Sequence, residues 1–205
     1  MLLQSDADAA ERIRQSAAQE ADRIRSRSEL TDAAKQARIA KVHQAAAAEM
    51  RKLQQNAAQS AKAHRTAAEQ NAFGVGGLKG DTASLAISYR DALDRASQAT
   101  SPKDAMALMV RANRSGDEAL ARAVASHSFD MAVSGAGQLD PGWGEVVGAF
   151  VDERPALSED VQTLTQLAKP VSHAAELFAF VLPAPTELSG MGEHRIAALA
   201  ESDAA

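Results

Sequence analysis

Apolar residues recur at steps of three or four along the first third of the chain, and mostly Ala, Gln, Arg, Lys or Glu lie between them. This spacing puts the apolar residues on one side of an α-helix, and the intervening residue types are strong helix formers. The resulting stripe is narrow and heptad-like. Its members are Ile13, Ala17, Ile24, Ile39, Val42, Ala46, Met50, Leu53, Ala57, Ser60 and His64. Thr31 can cap a helix that starts at Asp32, so the pattern predicts either one long helix or two helices broken near Thr31.

The rest of the chain predicts short helices, because each apolar segment follows a helix-start signal. Ser101–Pro102 and Asp140–Pro141 each combine a capping side chain with proline at the first helical position. Further starts are expected at Asp81 or Thr82, within 115–118, at Ser158, after Pro170 and near 193. No segment alternates polar and apolar residues with a period of two, so no strand is predicted. The expected core is Leu85, Tyr89, Leu93, Met106, Met109, Val110, Leu120, Val124, Phe129, Val147, Phe150, Val151, Leu164, Leu167, Leu177, Phe178 and Val181.

Composition changes near Phe73. All 12 Gly, all six Pro and every aromatic residue lie from Phe73 onward, and the net charge is +3 over residues 1–72 but −8 over the rest. These shifts predict a helical arm over 1–72, a glycine-rich joint over 73–81, a helical bundle over 82–201 and a tail over 202–205. The joint contains Gly74, Gly76, Gly77 and Gly80, and Gly74 is expected to end the arm in a left-handed conformation. The predicted fold is all-α: a long Ala-rich amphipathic helix, or a helix pair, followed by a compact bundle.

The sequence contains only weak candidates for a catalytic or ligand-binding site. The glycine-rich segment lacks the order G-x-x-x-x-G-K-[ST] of a phosphate-binding loop, and a polar helix precedes it where that motif needs a strand. His173 and Glu176 could share a helix face, but no third metal ligand accompanies them. The chain has no cysteine, and its acidic pairs are sequence neighbours that point about 100° apart in a helix. The sequence therefore predicts a protein that is not an enzyme and carries no metal or other cofactor.

The arm stripe is the candidate interaction surface, represented by its larger members Ile13, Ile24, Ile39, Val42, Met50 and Leu53. It could fold back as a hairpin near Leu30 or dock on other subunits, and the docking interpretation is slightly favoured. Acidic residues are interleaved with the arginines of residues 11–27, and the net charge is −5, which disfavours nucleic acid as a partner. The helix has too few large apolar residues for a membrane surface, and no apolar run is long enough to span a bilayer. The expected location is the cytoplasm or a virion, without secretion.

Residues 21–54 contain the pattern L-T-x-x-A-K-x-x-x-I-A, formed by Leu30, Thr31, Ala34, Lys35, Ile39 and Ala40, followed by an Ala-rich helix. This segment resembles small helical head-assembly proteins of actinobacterial phages and prophages. The resemblance implies a structural role in a virion, with other protein subunits as partners in a homo-oligomer or a capsid- or portal-type assembly. The alternative is a cytosolic adaptor whose bundle binds a protein or peptide, since residues 106–130 resemble one tetratricopeptide-like helical pair.

Overall fold

The computed structural model describes residues 4–76, 78, 80–134, 140–168 and 178–202. Within these ranges every regular element is helical, so the all-α prediction is confirmed. Gly77, His173, Glu176, Leu177 and most of the helix expected after Pro170 lie outside the described residues.

The arm is a pair of helices, and shorter helices follow it. The helices are α1 (Gln4–Arg25), α2 (Asp32–Phe73), α3 (Thr82–Ser97), α4 (Pro102–Ser115), α5 (Glu118–Val133), α6 (Pro141–Asp152), α7 (Ser158–Ala168) and α8 (Glu193–Glu201). Two 3₁₀ turns, Pro155–Leu157 and Thr186–Leu188, precede α7 and α8.

The side chains predicted to start helices do so at most positions. Thr31 Oγ1 accepts a hydrogen bond from Ala34 N at 3.2 Å, which fixes the break between α1 and α2. Asp140 Oδ1 accepts from the backbone N–H groups of Gly142 and Trp143 in the same way. A helix does start within 115–118, but the segment SGDE is not a capping box that begins at Ser115: Ser115 is the last residue of α4, and Asp117 caps α5 by accepting from Leu120 N at 3.0 Å.

The described residues form two compact units whose borders differ from the predicted domains. Unit 1 combines residues up to Ser60 with those after 170, and unit 2 comprises residues 61–170. The predicted bundle over 82–201 is therefore divided, because its last part packs with the N-terminal helices. The predicted arm over 1–72 is divided as well, because the end of α2 contributes to unit 2.

The core of unit 1 joins residues that are far apart in sequence. It contains Ala21 and Ile24 of α1, Ile39 and Ala40 of α2, and Leu188 and Ile196 from the C-terminal segment. Removing a large aliphatic side chain from water contributes about 1.5–3 kcal/mol, so Leu188 and Ile196 stabilise the packing of α1 and α2.

The core of unit 2 is built around α5. The buried residues of α5 are Ala119, Leu120, Ala121, Ala123, Val124, Ala125, Ser128, Phe129 and Ala132. Phe73, at the end of α2, packs against Phe129 and Phe150 with ring centroids 5.8 and 6.2 Å apart. Because so many contacts are made by alanine, neighbouring helices approach α5 closely.

The core prediction was correct for Met109, Leu120, Val124, Phe129, Val147, Phe150 and Leu164, which are buried. It was wrong for Leu93, Val110, Phe178 and Val181, which are exposed. The last two also belong to unit 1 rather than to the bundle. Trp143, Val146 and Val161 are buried although they were not predicted.

The predicted joint lies inside unit 2, between α2 and α3, and is not the border between the units. Gly74 does not adopt the left-handed conformation expected of it. A side chain at Gly74 would instead place Cβ 2.5 Å from the Gln70 carbonyl oxygen, so close approach explains the glycine. Gly80 has φ +149°, where glycine is favoured, whereas a Cβ at Gly76 would meet no atom within 4 Å.

Candidate interaction surfaces

The arm stripe is covered by the chain itself. Ile24, Ile39 and Met50 are buried, and Ile13, Val42 and Leu53 are half-buried. The prediction that the stripe contacts other subunits is therefore corrected for Ile24, Ile39 and Val42, which form or flank the core of unit 1, and for Met50, which is buried. The hairpin alternative describes them better.

An ion pair fixes the C-terminal segment to α1. Arg25 donates from Nε and Nη2 to the two carboxylate oxygens of Glu187, at 2.6 and 2.8 Å, and from Nη1 to Asp22 at 2.6 Å. Gln36 of α2 donates to the Glu187 carbonyl oxygen at 2.7 Å. The guanidinium of Arg25 lowers the pKa of Glu187 to about 2, and both carboxylates raise the pKa of Arg25 above its usual value.

A second arginine of α1 holds residues 178–181. Arg14 donates to the carbonyl oxygens of Phe178, Ala179 and Val181, and its Nη1 donates to Glu11. Arg14 thereby gives these carbonyl groups a charged donor, and the Phe178 carbonyl also accepts from Val181 N at 3.3 Å. The arginines thus have internal structural partners, as do most of the charges in this part of α1.

Two cavities in unit 1 share His43 as a wall. The first, of about 310 Å³, includes Ala18, Ala21, Ile39 and residues 182–186 in its lining. The second, of about 460 Å³, lies between α2 and α8 and includes Arg51 and His194. Burial lowers the pKa of His43, so its imidazole is neutral at pH 7. Both cavities have alanine residues among their walls, and these short side chains leave part of the space between the helices unfilled.

The side of α2 opposite Ile39 and Met50 is exposed, and Ala48 on this side also borders the cavity between α2 and α8. Lys41, Ala45, Ala48, Lys52, Gln55, Gln59 and Lys62 follow steps of four and three, so they share one face, and six of the seven lie in unit 1. All seven are exposed, and the three lysines form no ion pair within the described ranges. We call this face the lysine row. At 1.5 Å per residue it extends over about 32 Å.

In unit 2 three partly buried charged residues, Glu118, Arg122 and Arg154, stabilise the packing of the helices by pairing with one another. Glu118, at the start of α5, pairs with Arg122 at 3.0 Å and with Arg154 at 2.8 Å. Arg122 also donates to the carbonyl oxygens of Asn71, Ala72 and Gly74 at the end of α2. Arg154 lies over the Phe150 ring, with its guanidinium carbon 4.7 Å from the ring centroid.

The residues suggested for an adaptor function lie mostly in the core. α4 and α5 form a helical pair joined at Gly116, which has φ +67°. Met109 and Leu120 are fully buried and Met106 is half-buried, so they are not a surface that a peptide could contact without opening unit 2.

Sequence reasoning missed two features. Leu188 and Ile196 cover the stripe, and their only local signal is the apolar spacing of Ile196, Leu199 and Ala200 in α8. The lysine row has a clearer signal, because Lys41, Lys52 and Lys62 lie on the α2 face opposite Ile39 and Met50.

Comparison with protein-family models, curated proteins and solved structures gave no match. In the part of the chain that the structure describes, no group of three His, Asp or Glu side chains is arranged to hold a metal ion. None of the described helices combines the length and the apolar character needed to cross a lipid bilayer.

Proposed function

We propose that this chain is a non-enzymatic structural protein that acts by binding other protein subunits. The observation that supports this proposal is the lysine row of α2. The stripe on the same helix is used by the chain's own core, whereas the lysine row is exposed over about 32 Å. The part of α2 that belongs to unit 1, up to Ser60, provides an elongated surface of a kind suited to contacts between subunits.

The narrower form of the proposal is a component of a phage head. Its support is the resemblance of residues 21–54 to phage head-assembly proteins, carried by Leu30, Thr31, Ala34, Lys35, Ile39 and Ala40. Electron cryomicroscopy of native particles that contain the chain tests this form: the expected result is density for the helical pair at many symmetry-related positions. A chain that purifies away from every particle contradicts it.

Multi-angle light scattering of the purified full chain over a concentration series tests the general form. We expect the weight-average mass to rise above the 21.5 kDa of one chain as the concentration increases. A mass that stays at one chain up to millimolar concentration contradicts subunit binding by a second copy.

A further inference from the structure

We propose that the lysine row of one copy docks on an acidic face of α6 in a second copy. This inference rests on the proposed function and names the two surfaces through which the subunits bind.

The first surface has small side chains at its centre and a positively charged side chain at each end. Ala45 and Ala48 lie between Lys41 and Lys52 on the exposed face of α2. Alanine side chains let the backbone of another helix approach closely, while the backbone positions of the two lysines lie about 16 Å apart along the helix axis. Neither lysine has an ion-pair partner in the described part of the chain, so both are available to bind carboxylates.

The second surface has the complementary arrangement. Gly144 and Gly148 of α6 are exposed, and a Cβ at either position would meet no atom within 4 Å. Glu145 and Asp152 lie on the same side of α6, are exposed and form no ion pair within the described ranges. We call Glu145, Gly148 and Asp152 the glycine face, in which Gly148 lies between the two carboxylates. Its carboxylates are two turns apart, about 10.5 Å.

The two faces are complementary in charge. In the proposed contact Gly148 lies against Ala45 and Ala48, and a lysine meets a carboxylate on either side of it. The two lysines are about 6 Å farther apart along their helix than the two carboxylates are along theirs. The flexible lysine side chains can bend inward to make up this difference. Opposite charges across such a contact favour the correct partner and register.

Charge on the rest of the chain favours a second copy over nucleic acid. Residues 140–160 hold six acidic residues and one basic residue, Arg154, which is already paired with Glu118. A net charge of −5 opposes binding to a polyanion. Because the contact joins two different faces, each copy can bind one neighbour at each face, and the product is a ring or a filament.

The experiment is charge reversal in the full chain, with sedimentation velocity as the readout. K41E/K52E and E145K/D152K each place like charges across the contact. We expect each variant to lower the association constant by at least about tenfold. K103E/R111E, which changes exposed charges on α4, is the matched control for the lysine reversal and should associate like the unchanged protein.

The decisive experiment mixes the two reversal variants. In the mixture, the intact glycine face of K41E/K52E meets the intact lysine row of E145K/D152K, and the two reversed faces also complement each other. Association should return in the mixture, and it should weaken between 0.1 and 1 M salt, where the screening length falls from about 10 to about 3 Å. Circular dichroism checks that each variant keeps its helix content, and K41Q/K52Q supplies a neutral substitute if K41E/K52E does not fold.

The outcomes separate the two proposals. If the unchanged protein associates but neither reversal weakens it, or if the mixture does not recover, the docking of these two faces is wrong and subunit binding stands. Association that disappears after nuclease treatment would show a nucleic-acid bridge and overturns the docking as well. A protein that is monomeric throughout contradicts the proposed function itself.

Discussion

At the scale of single residues, the contact between Arg25 and Glu187 links parts of the chain that are 162 residues apart. Two parallel N–H···O bonds give it a defined geometry, which isolated surface ion pairs usually lack. It lies beside Ile24 and Leu188 of the unit 1 core, so it helps to determine which surface of the C-terminal segment faces α1.

The first prediction concerns the pH dependence of this pair. The pKa of Glu187 falls from 4.5 to about 2 in the folded protein. Its contribution to stability is therefore complete above pH 4.5 and is lost as the pH falls toward 2. E187Q should destabilise unit 1 by about 1 kcal/mol at pH 7, because the pair is partly exposed, and should have less effect at pH 2.

Hydrogen exchange of the α1 and α8 amides, followed by mass spectrometry from pH 7 to pH 2, measures this effect. E49Q is the control, since Glu49 is an exposed carboxylate on α2 without an ion pair in the described residues. Equal protection of α8 in E187Q and in the unchanged protein at pH 7 would show that the pair contributes nothing.

At the scale of elements, Arg122 of α5 completes the C-terminal end of α2. The last carbonyl groups of a helix have no intrahelical donor, and three carbonyls near this end accept from Arg122. Arg122 is mostly buried, and Glu118 holds it in place. The end of α2 is thus joined to α5 by the hydrogen bonds of the Arg122 guanidinium as well as by the packing of Phe73.

We predict that R122M destabilises unit 2 by about 2–3 kcal/mol, because the carbonyls lose a charged donor while the apolar stem is retained. Urea unfolding followed by the fluorescence of Trp143 is the measurement, since this single tryptophan lies in the core of unit 2. R95M is the control, because Arg95 makes only a 3.7 Å contact with Asp91 on an exposed face. A loss below 0.5 kcal/mol in R122M would refute the capping role.

Element starts were predictable because their signals are local. Thr31, Ser101 and Asp140 each bond to backbone groups two or three residues ahead, so a short stretch of sequence contains all the information. Which apolar residue enters the core was less predictable. Leu93 and Val110 are exposed while Ala92 and Ala112 nearby are buried, because the close approach of helices around α5 admits small side chains. Side-chain size alone predicted that the larger residues, Leu93 and Val110, would be the buried ones.

At the scale of the whole molecule, the chain builds one unit from a continuous segment and the other from two separated segments. Residues 61–170 make up unit 2, whereas unit 1 needs both ends of the described chain. The sequence could not predict this, because no periodicity relates Ile24 and Ile39 to Leu188 and Ile196. The composition shift at Phe73 is real, but it coincides with a helix end inside unit 2.

We predict that a fragment of residues 61–170 folds on its own, with cooperative thermal unfolding by circular dichroism, because its core is complete. A fragment of residues 1–60 should be much less stable, since it lacks Leu188 and Ile196. Adding a synthetic peptide of residues 178–202 should raise its helix content. The same peptide with L188A and I196A is the control and should have little effect.

If residues 1–60 melt cooperatively without the peptide, the C-terminal segment is not required for that half. A fragment 61–170 that stays unfolded would show that its core depends on residues outside it. Each result would require a different division of the chain.

The division of unit 1 between distant segments imposes an order on biosynthesis. Translation delivers α1 and α2 before unit 2 is complete, and residues 178–202 leave the ribosome after unit 2. Domains generally fold as units while the chain is being made. Unit 2 can therefore fold before Leu188 and Ile196 are available to pack against Ile24 and Ile39. During that interval the nascent chain exposes an apolar surface, which makes premature termination or slow elongation between unit 2 and residue 202 a direct route to aggregation.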